Sequence, residues 1–246
     1  MATPLLEIAA GSLASALAAQ AGGAGRIELC ANLAAGGITP SHGTIAIVRE
    51  LVPLPLVVLI RPRAGDFVYD AGELESMRRD IEHCAQLGCA GVAIGVLDSH
   101  GDVDRAACAR LIQAAKGMQV TFHRAFDCVR DRAAALETLI ELGCARVLTS
   151  GAEPSAEQGA DAIAASVAQA AGRIRVIAGA GVRPGNVEAI LARARPDELH
   201  ASASRPRLSR TQAGTSGLLG FGEEGSESDP EVVRALVDAI GRAARE

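Results

Sequence analysis

Two carboxylates and an imidazole stand inside runs that are otherwise apolar: Glu7 in LLEIAA, Glu28 in RIELC and His123 in VTFHR. Burying a charge in such a run is costly unless the charge is paired. One arrangement that satisfies it is a structural ion-pair layer, Glu28 with Arg61 for example. The other is a polar pocket in which Glu7, Glu28, Arg61 and His123 are the catalytic groups, binding an anion, holding a hard divalent metal or moving protons. Polar residues near the ends of the same runs extend that set as substrate or anion ligands. They are Arg63 and Asp66, Arg124 and Asp127, Ser150, Gly179 and Gly181, and His200 with Ser202. The Gly179–Gly181 turn is predicted to open a helix, where backbone N–H groups bind phosphate; glycines are equally what such a turn needs for itself. Of the 24 basic residues only Lys116 is lysine, before the fifth strand, so no Schiff-base amine is expected.

These residues require elements that bring them together. Strands are predicted at 5–9, 26–30, 54–60, 91–97, 119–123, 146–150, 173–178 and 198–202. Runs such as LPLVVLI read as strands buried on both faces, as in a helix-covered parallel sheet. Amphipathic helical patterns lie between them at 12–21, 70–87, 131–142, 155–171, 184–194 and 230–242. LGCAGV at 87–92 recurs as LGCARV at 142–147, an offset of 142 − 87 = 55 residues. Repeated strand-then-helix units with short turns predict an α/β fold, a (β/α)8 TIM barrel of eight parallel strands in a single domain over 1–246. A doubly wound open sheet is the alternative. The polar candidates then fall at the C-terminal ends of the strands, where such barrels carry their sites. The segment 205–228, rich in Gly, Ser and Arg, has no period and reads as a surface loop or a lid over that face.

Composition narrows the partners. Hydrophobic residues make up 49% but aromatics only 2%, with no Trp, and the formal charge is −5. That excludes aromatic stacking platforms for nucleic acid and gives no basic face for a polyanion. No apolar stretch reaches the ~20 residues of a membrane span, and the N-terminus lacks the basic region of a secretory signal. Six cysteines without CxxC read as free thiols in a reducing compartment. Cys30 and Cys128 alone fall near strand ends. His42, His83 and His100 read as solvated surface groups. The expected partner is a small molecule or metal ion, with neither nucleic acid, membrane nor nucleotide cofactor.

Taken in order, RIELCANLAAGGITPSHG, IRPRAGDFVY, VTFHRAFD, LTSGAEPSAEQG and ELHASA resemble the CutC family, assigned to copper homeostasis. The resemblance spans about residues 5–204. It implies a barrel, a cytoplasmic location, self-association as a dimer and the handling of cuprous copper, with Cys30 and Cys128 as metal ligands. The first strand departs from the family's cysteine-bearing run, which is like EVCVDS: Ala9 stands at the cysteine and Gly11 at the aspartate. The glycine turn is Gly179-Ala180-Gly181 rather than three glycines, and Cys128 replaces a frequent methionine. Cuprous ion prefers thiolate or thioether ligands, so losing one cysteine weakens the implied copper site.

Overall fold

The structure is a computed structural model that describes residues 3–207 and 225–245. Its centre is a closed parallel barrel of β1 (Leu5–Ala10), β2 (Arg26–Leu29), β3 (Leu56–Leu59), β4 (Gly91–Ile94), β5 (Gln119–Phe122), β6 (Arg146–Thr149), β7 (Arg175–Ala178) and β8 (Glu198–Ala201). Each pairs with the next, and β8 returns to β1 through Glu7↔His200 and its neighbours. The helices are α1 (Leu13–Gly22), α2 (His42–Leu51), α3 (Ala71–Gln86), α4 (Arg105–Ala114), α5 (Arg132–Glu141), α6 (Ala160–Ala170), α7 (Val187–Ala194) and α8 (Pro230–Ala243).

Short side chains start most of these helices. Ser12, Ser41, Asp104 and Asp131 each accept a backbone N–H from three residues on, and Asp70 forms a capping box with Glu73. Asp229 caps α8, with Pro230 in its first turn. The repeated LGCA motif closes α3 and α5: Gly88 and Gly143 take φ of 70° and 77°, a left-handed conformation that glycine adopts without a Cβ clash.

Two helices, α2 and α4, are not anticipated by the periodicity above. The first carries Thr44, Ile45, Ile47 and Val48, β-branched residues that lower helix propensity; capping by Ser41 and burial of Ile45 and Val48 override it. The helices expected at 155–171 and 184–194 begin later, at Ala160 and Val187. The intervening turns lie on the mouth, where the Ala156 N–H bonds the Ala180 carbonyl at 2.9 Å. The Gly179–Gly181 turn therefore does not open α7. Of the expected irregular segment 205–228, the described ends fall in an antiparallel ribbon, β9 (Ser204–Arg207) with β10 (Gly225–Ser228); 208–224 lie outside the described residues.

Alternation along the strands divides the interior. Leu6, Ile8, Ile27, Leu29, Val58, Ile60, Val92 and Ile94 pack outward against the helices. Val57, Leu59, Ala93 and Cys30 cluster separately inside the ring. At the bottom of the barrel an ion-pair layer closes the interior. Arg26 donates to Glu7 (Nε to Oε2, 2.5 Å) and to Glu198, and Glu198 also accepts from Arg146 (3.0 Å) and from Arg175 (3.1 Å). A buried Glu–Arg layer therefore exists, but its members are not Glu28 and Arg61.

Candidate functional site

The register of three strands assembles the polar centre. β1 pairs Glu7 with Arg26 on β2 and with His200 on β8, and Ala9 with Glu28. Stepping by two along β2 carries the inward side from Arg26 through Glu28 to Cys30, from the ion-pair layer up to the mouth. The result is a chain of contacts. Arg26 holds Glu7 Oε2, and Glu7 Oε1 accepts from His200 Nδ1 at 2.8 Å. That fixes the His200 tautomer and turns Nε2 toward Glu28 Oε2, 3.8 Å away.

The electrostatics follow. Burial opposes ionisation of Glu7, but the hydrogen bond from His200 and the Arg26 charge outweigh it and hold the carboxyl at about 2. Glu28 has no such help. Burial, joined by the negative charge of Glu7, pushes its carboxyl up to about 7 against the attraction of His200. Burial alone would lower His200, yet Glu28 and then Glu7 raise it.

His123 enters from the opposite side of the mouth. Its ring occupies the space above Gly95, where a Cβ would lie 2.2 Å from Cε1 and 2.5 Å from Nδ1. Nδ1 accepts the Ala125 backbone N–H at 3.1 Å, which leaves the proton on Nε2. Burial and then the Arg61 charge lower this imidazole to about 3, so it is neutral. Phe67 lies against both partners, 5.2 Å from the His123 ring and 5.0 Å from the Arg61 guanidinium.

Arg61 is spent on chain rather than on a carboxylate. It donates to the carbonyls of Ala35 (3.1 Å), Gly37 (2.8 Å) and Gly65 (2.8 Å). Two of these belong to 31–38, the loop after β2, closed by the Ala31↔Ile38 bridge and carrying Leu33 over the mouth. Asp127 plays a similar part on the far side. It accepts from Thr149 Oγ1 (2.5 Å), from the N–H groups of Ser150 and Ala152 (3.1 Å each) and from Arg124 (2.8 Å), joining the loops after β5 and β6.

Glu28, Cys30, Arg61, His123, Arg124, Asp127, Cys128 and His200 all line one mouth cavity of about 300 Å³, with Leu33, Leu59, Phe67 and Leu148. That is the lower end of the range for small-molecule sites. Three buried polar atoms of this lining have no hydrogen-bond partner: Glu28 Oε1, Arg61 Nε and His123 Nε2. Glu7 sits beneath the cavity. Arg63 instead pairs with Glu73 (2.6 Å) and Asp66 (3.0 Å) beside the Tyr69 ring, and neither it nor Asp66 lines the cavity. Ser150, Gly179, Gly181 and Ser202 are also outside the lining; Gly179 packs on Leu148 and His200, and Ser202 is exposed beside Ser204.

The sequence did not single out the apolar lining residues Leu33, Leu59, Phe67 and Leu148, nor Gly95, which makes room for the His123 ring. The one visible signal was Phe67, among only four phenylalanines in the chain. Far from the mouth, His42 and His83 touch each other through ring nitrogens across α2 and α3.

A (β/α)8 barrel with a polar, partly unsatisfied mouth is the class of protein these features define. Its family follows from comparison: the CutC family model matches residues 4–205, and the chain belongs to the CutC family. A family protein CutC from Xanthomonas axonopodis pv. citri is 52% identical over 238 residues, covering 97% of this chain and 99% of that one. The solved structure of CutC from Streptococcus agalactiae superposes with a TM-score of 0.78 at 32% identity, covering 81% of this chain and 98% of that one. N-(5'-phosphoribosyl)anthranilate isomerase from Pyrococcus furiosus, at 15% identity and a TM-score of 0.58 over 97% of this chain and 99% of that one, shares the fold alone. Among the described residues no helix is long and apolar enough to cross a membrane.

Proposed function

We propose that this barrel is an enzyme that binds a small polar metabolite in its mouth and acts on it at the Glu28–His200 pair. The observation that carries this reading is the set of partnerless buried atoms, Glu28 Oε1, Arg61 Nε and His123 Nε2, on residues of a single cavity. Leaving such groups unpaired costs about 1–3 kcal/mol each, so a complementary ligand is the natural partner for all three. His123, neutral and presenting Nε2–H, donates to a carbonyl or hydroxyl oxygen. Arg61 adds a positive field suited to an anionic group. The Glu28–His200 pair is the charged centre that the ligand meets. Phosphate anchoring at Gly179–Gly181 has less support, because the turn lies outside the cavity and the Gly179 N–H already donates to the Thr149 carbonyl at 3.0 Å. Soaking crystals with small hydroxy acids, keto acids and sugar phosphates tests the reading. Ligand density within reach of Glu28 and His123 supports it, and density confined to the outer surface contradicts it.

Copper handling is the second reading, supported by Cys30 and Cys128 lining the same cavity and by the copper-homeostasis description of the Streptococcus agalactiae relative. The donor chemistry argues for weak binding. Burial and the Glu28 charge push the Cys30 thiol well above its ordinary range, and it donates to the Ala10 carbonyl at 3.7 Å. Cys128 is exposed, and burial of part of its side chain with Asp127 beside it raises its thiol too. Ala9 offers no third sulfur. Cuprous ion would have to displace both thiol protons to be held by this pair.

A further inference from the structure

We propose that His200 and Glu28 form a binding site for a hard to borderline divalent cation, such as Mn²⁺, with Glu7 as the residue that aims His200 at it. The inference deepens the small-molecule reading above by naming what completes its charged centre. The ligand atoms of Glu7, Glu28 and His200 lie within 4.8 Å of one another, and among the described residues no other trio of His, Cys, Asp and Glu converges in this way.

The individual distances separate first ligands from support. His200 Nε2 and Glu28 Oε2 are 3.8 Å apart, too far for a hydrogen bond. Two nitrogen or oxygen ligands at ~2.0–2.2 Å from one ion stand at most about 4.4 Å apart, so a single cation spans this gap. Glu28 Oε1, on a residue 6% exposed, has no partner and is a second donor from the same carboxylate. Glu7 differs: both of its oxygens are already engaged, one by Arg26 and the other by His200 Nδ1. A carboxylate on the far ring nitrogen is the usual support of a metal-bound imidazole, fixing its tautomer and raising its basicity.

The charges agree. The buried guanidiniums of Arg26 and Arg146 are matched by Glu7 and Glu198, so Glu28 has no guanidinium partner and faces only His200, 3.8 Å away. Only two side chains reach the ion, which leaves its other positions to water and to the ligand in the cavity above. One imidazole with a carboxylate favours Mn²⁺, Fe²⁺ or Zn²⁺ over cuprous ion, which takes sulfur.

The test uses the full chain, stripped with a chelator and then freed of it, titrated with Mn²⁺ while the signal of free ion is followed by electron paramagnetic resonance. The expected result is saturable binding at one ion per chain, lost in Glu28→Gln and in His200→Gln and weakened about 10–100-fold in Glu7→Gln. His83→Gln, a change on α3 far from the mouth, keeps wild-type affinity. Circular dichroism of each variant establishes that it is folded, and Glu28→Gln, which keeps shape and removes only the charge, decides the matter if Glu7→Gln unfolds. No saturable binding, or binding unchanged in both Glu28→Gln and His200→Gln, overturns the proposal. Crystals soaked with metabolites keep the two readings separable: metabolite density together with no saturable Mn²⁺ binding in the titration removes this proposal and spares the enzyme, and saturable Mn²⁺ binding with no metabolite density does the reverse.

Discussion

Replacing Glu28 by Gln should make the metal-free protein more stable at alkaline pH. The folded environment raises this carboxyl from 4.5 to about 7, through burial first and the Glu7 charge beside it. The native state therefore holds a proton more tightly than the unfolded chain between those two values. Stability falls as pH rises through that window, and the full penalty is present above pH 7. The difference, 7 − 4.5 = 2.5 units, at 1.36 kcal/mol per unit gives about 3 kcal/mol. His200 shares the proton, so this is a ceiling. Gln keeps the shape of the carboxyl without its charge. Urea melts of both proteins in chelator at pH 4.5, 6 and 8 measure the effect. The expected gain for Glu28→Gln is near zero at pH 4.5 and rises toward about 3 kcal/mol at pH 8, or roughly 6–12 °C in Tm for a chain of this size. A variant less stable than wild type at pH 8, or a difference that does not change with pH, would refute the assignment of Glu28 as a buried carboxyl whose ionisation costs stability.

Three further outcomes follow from the same geometry. Arg26→Met takes a partner from both Glu7 and Glu198 in the barrel floor, leaving Glu7 to His200 alone, and should cost about 3–5 kcal/mol in urea denaturation. Gly95→Ala drives a methyl into the space of the His123 ring and should cost about 1–3 kcal/mol, with the His123 imidazole resonances displaced in nuclear magnetic resonance spectra; unchanged resonances would contradict the packing. Cuprous titration against a competing chelator should give weak binding, and tight one-to-one binding abolished by both Cys30→Ser and Cys128→Ser would show that the two thiols suffice.

The barrel was legible because its strands are apolar runs between helical repeats, and the same runs exposed Glu28 and His123 as exceptions. Which charge meets which was not legible. Glu7 and His200 are 193 residues apart in sequence and become neighbours only when β8 closes on β1. Arg26 looked like the edge of a strand, yet the β1–β2 register turns it inward onto Glu7 and Glu198. Arg61 was readable as a polar residue at a strand end but not as the clamp of the 31–38 loop, because its acceptors are backbone carbonyls and carry no side-chain signature. Arg63 and Asp66 follow the same strand and satisfy each other instead, since an aspartate three residues on is within reach of the guanidinium. The glycine turn at 179–181 misled because α7 starts only at Val187, after a turn held by Asn186.

The central claim is that the mouth is built to hold a small polar molecule. A thermal-shift screen of hydroxy acids, keto acids and sugar phosphates, run on wild type beside His123→Ala, tests it most directly. A ligand present at 100 times its Kd adds ~2.7 kcal/mol of stability, a rise of roughly 5–10 °C for a chain of this length. The account predicts such a rise for at least one compound in wild type and its loss in folded His123→Ala. A screen in which no compound raises Tm, or in which every rise survives in His123→Ala, would contradict it.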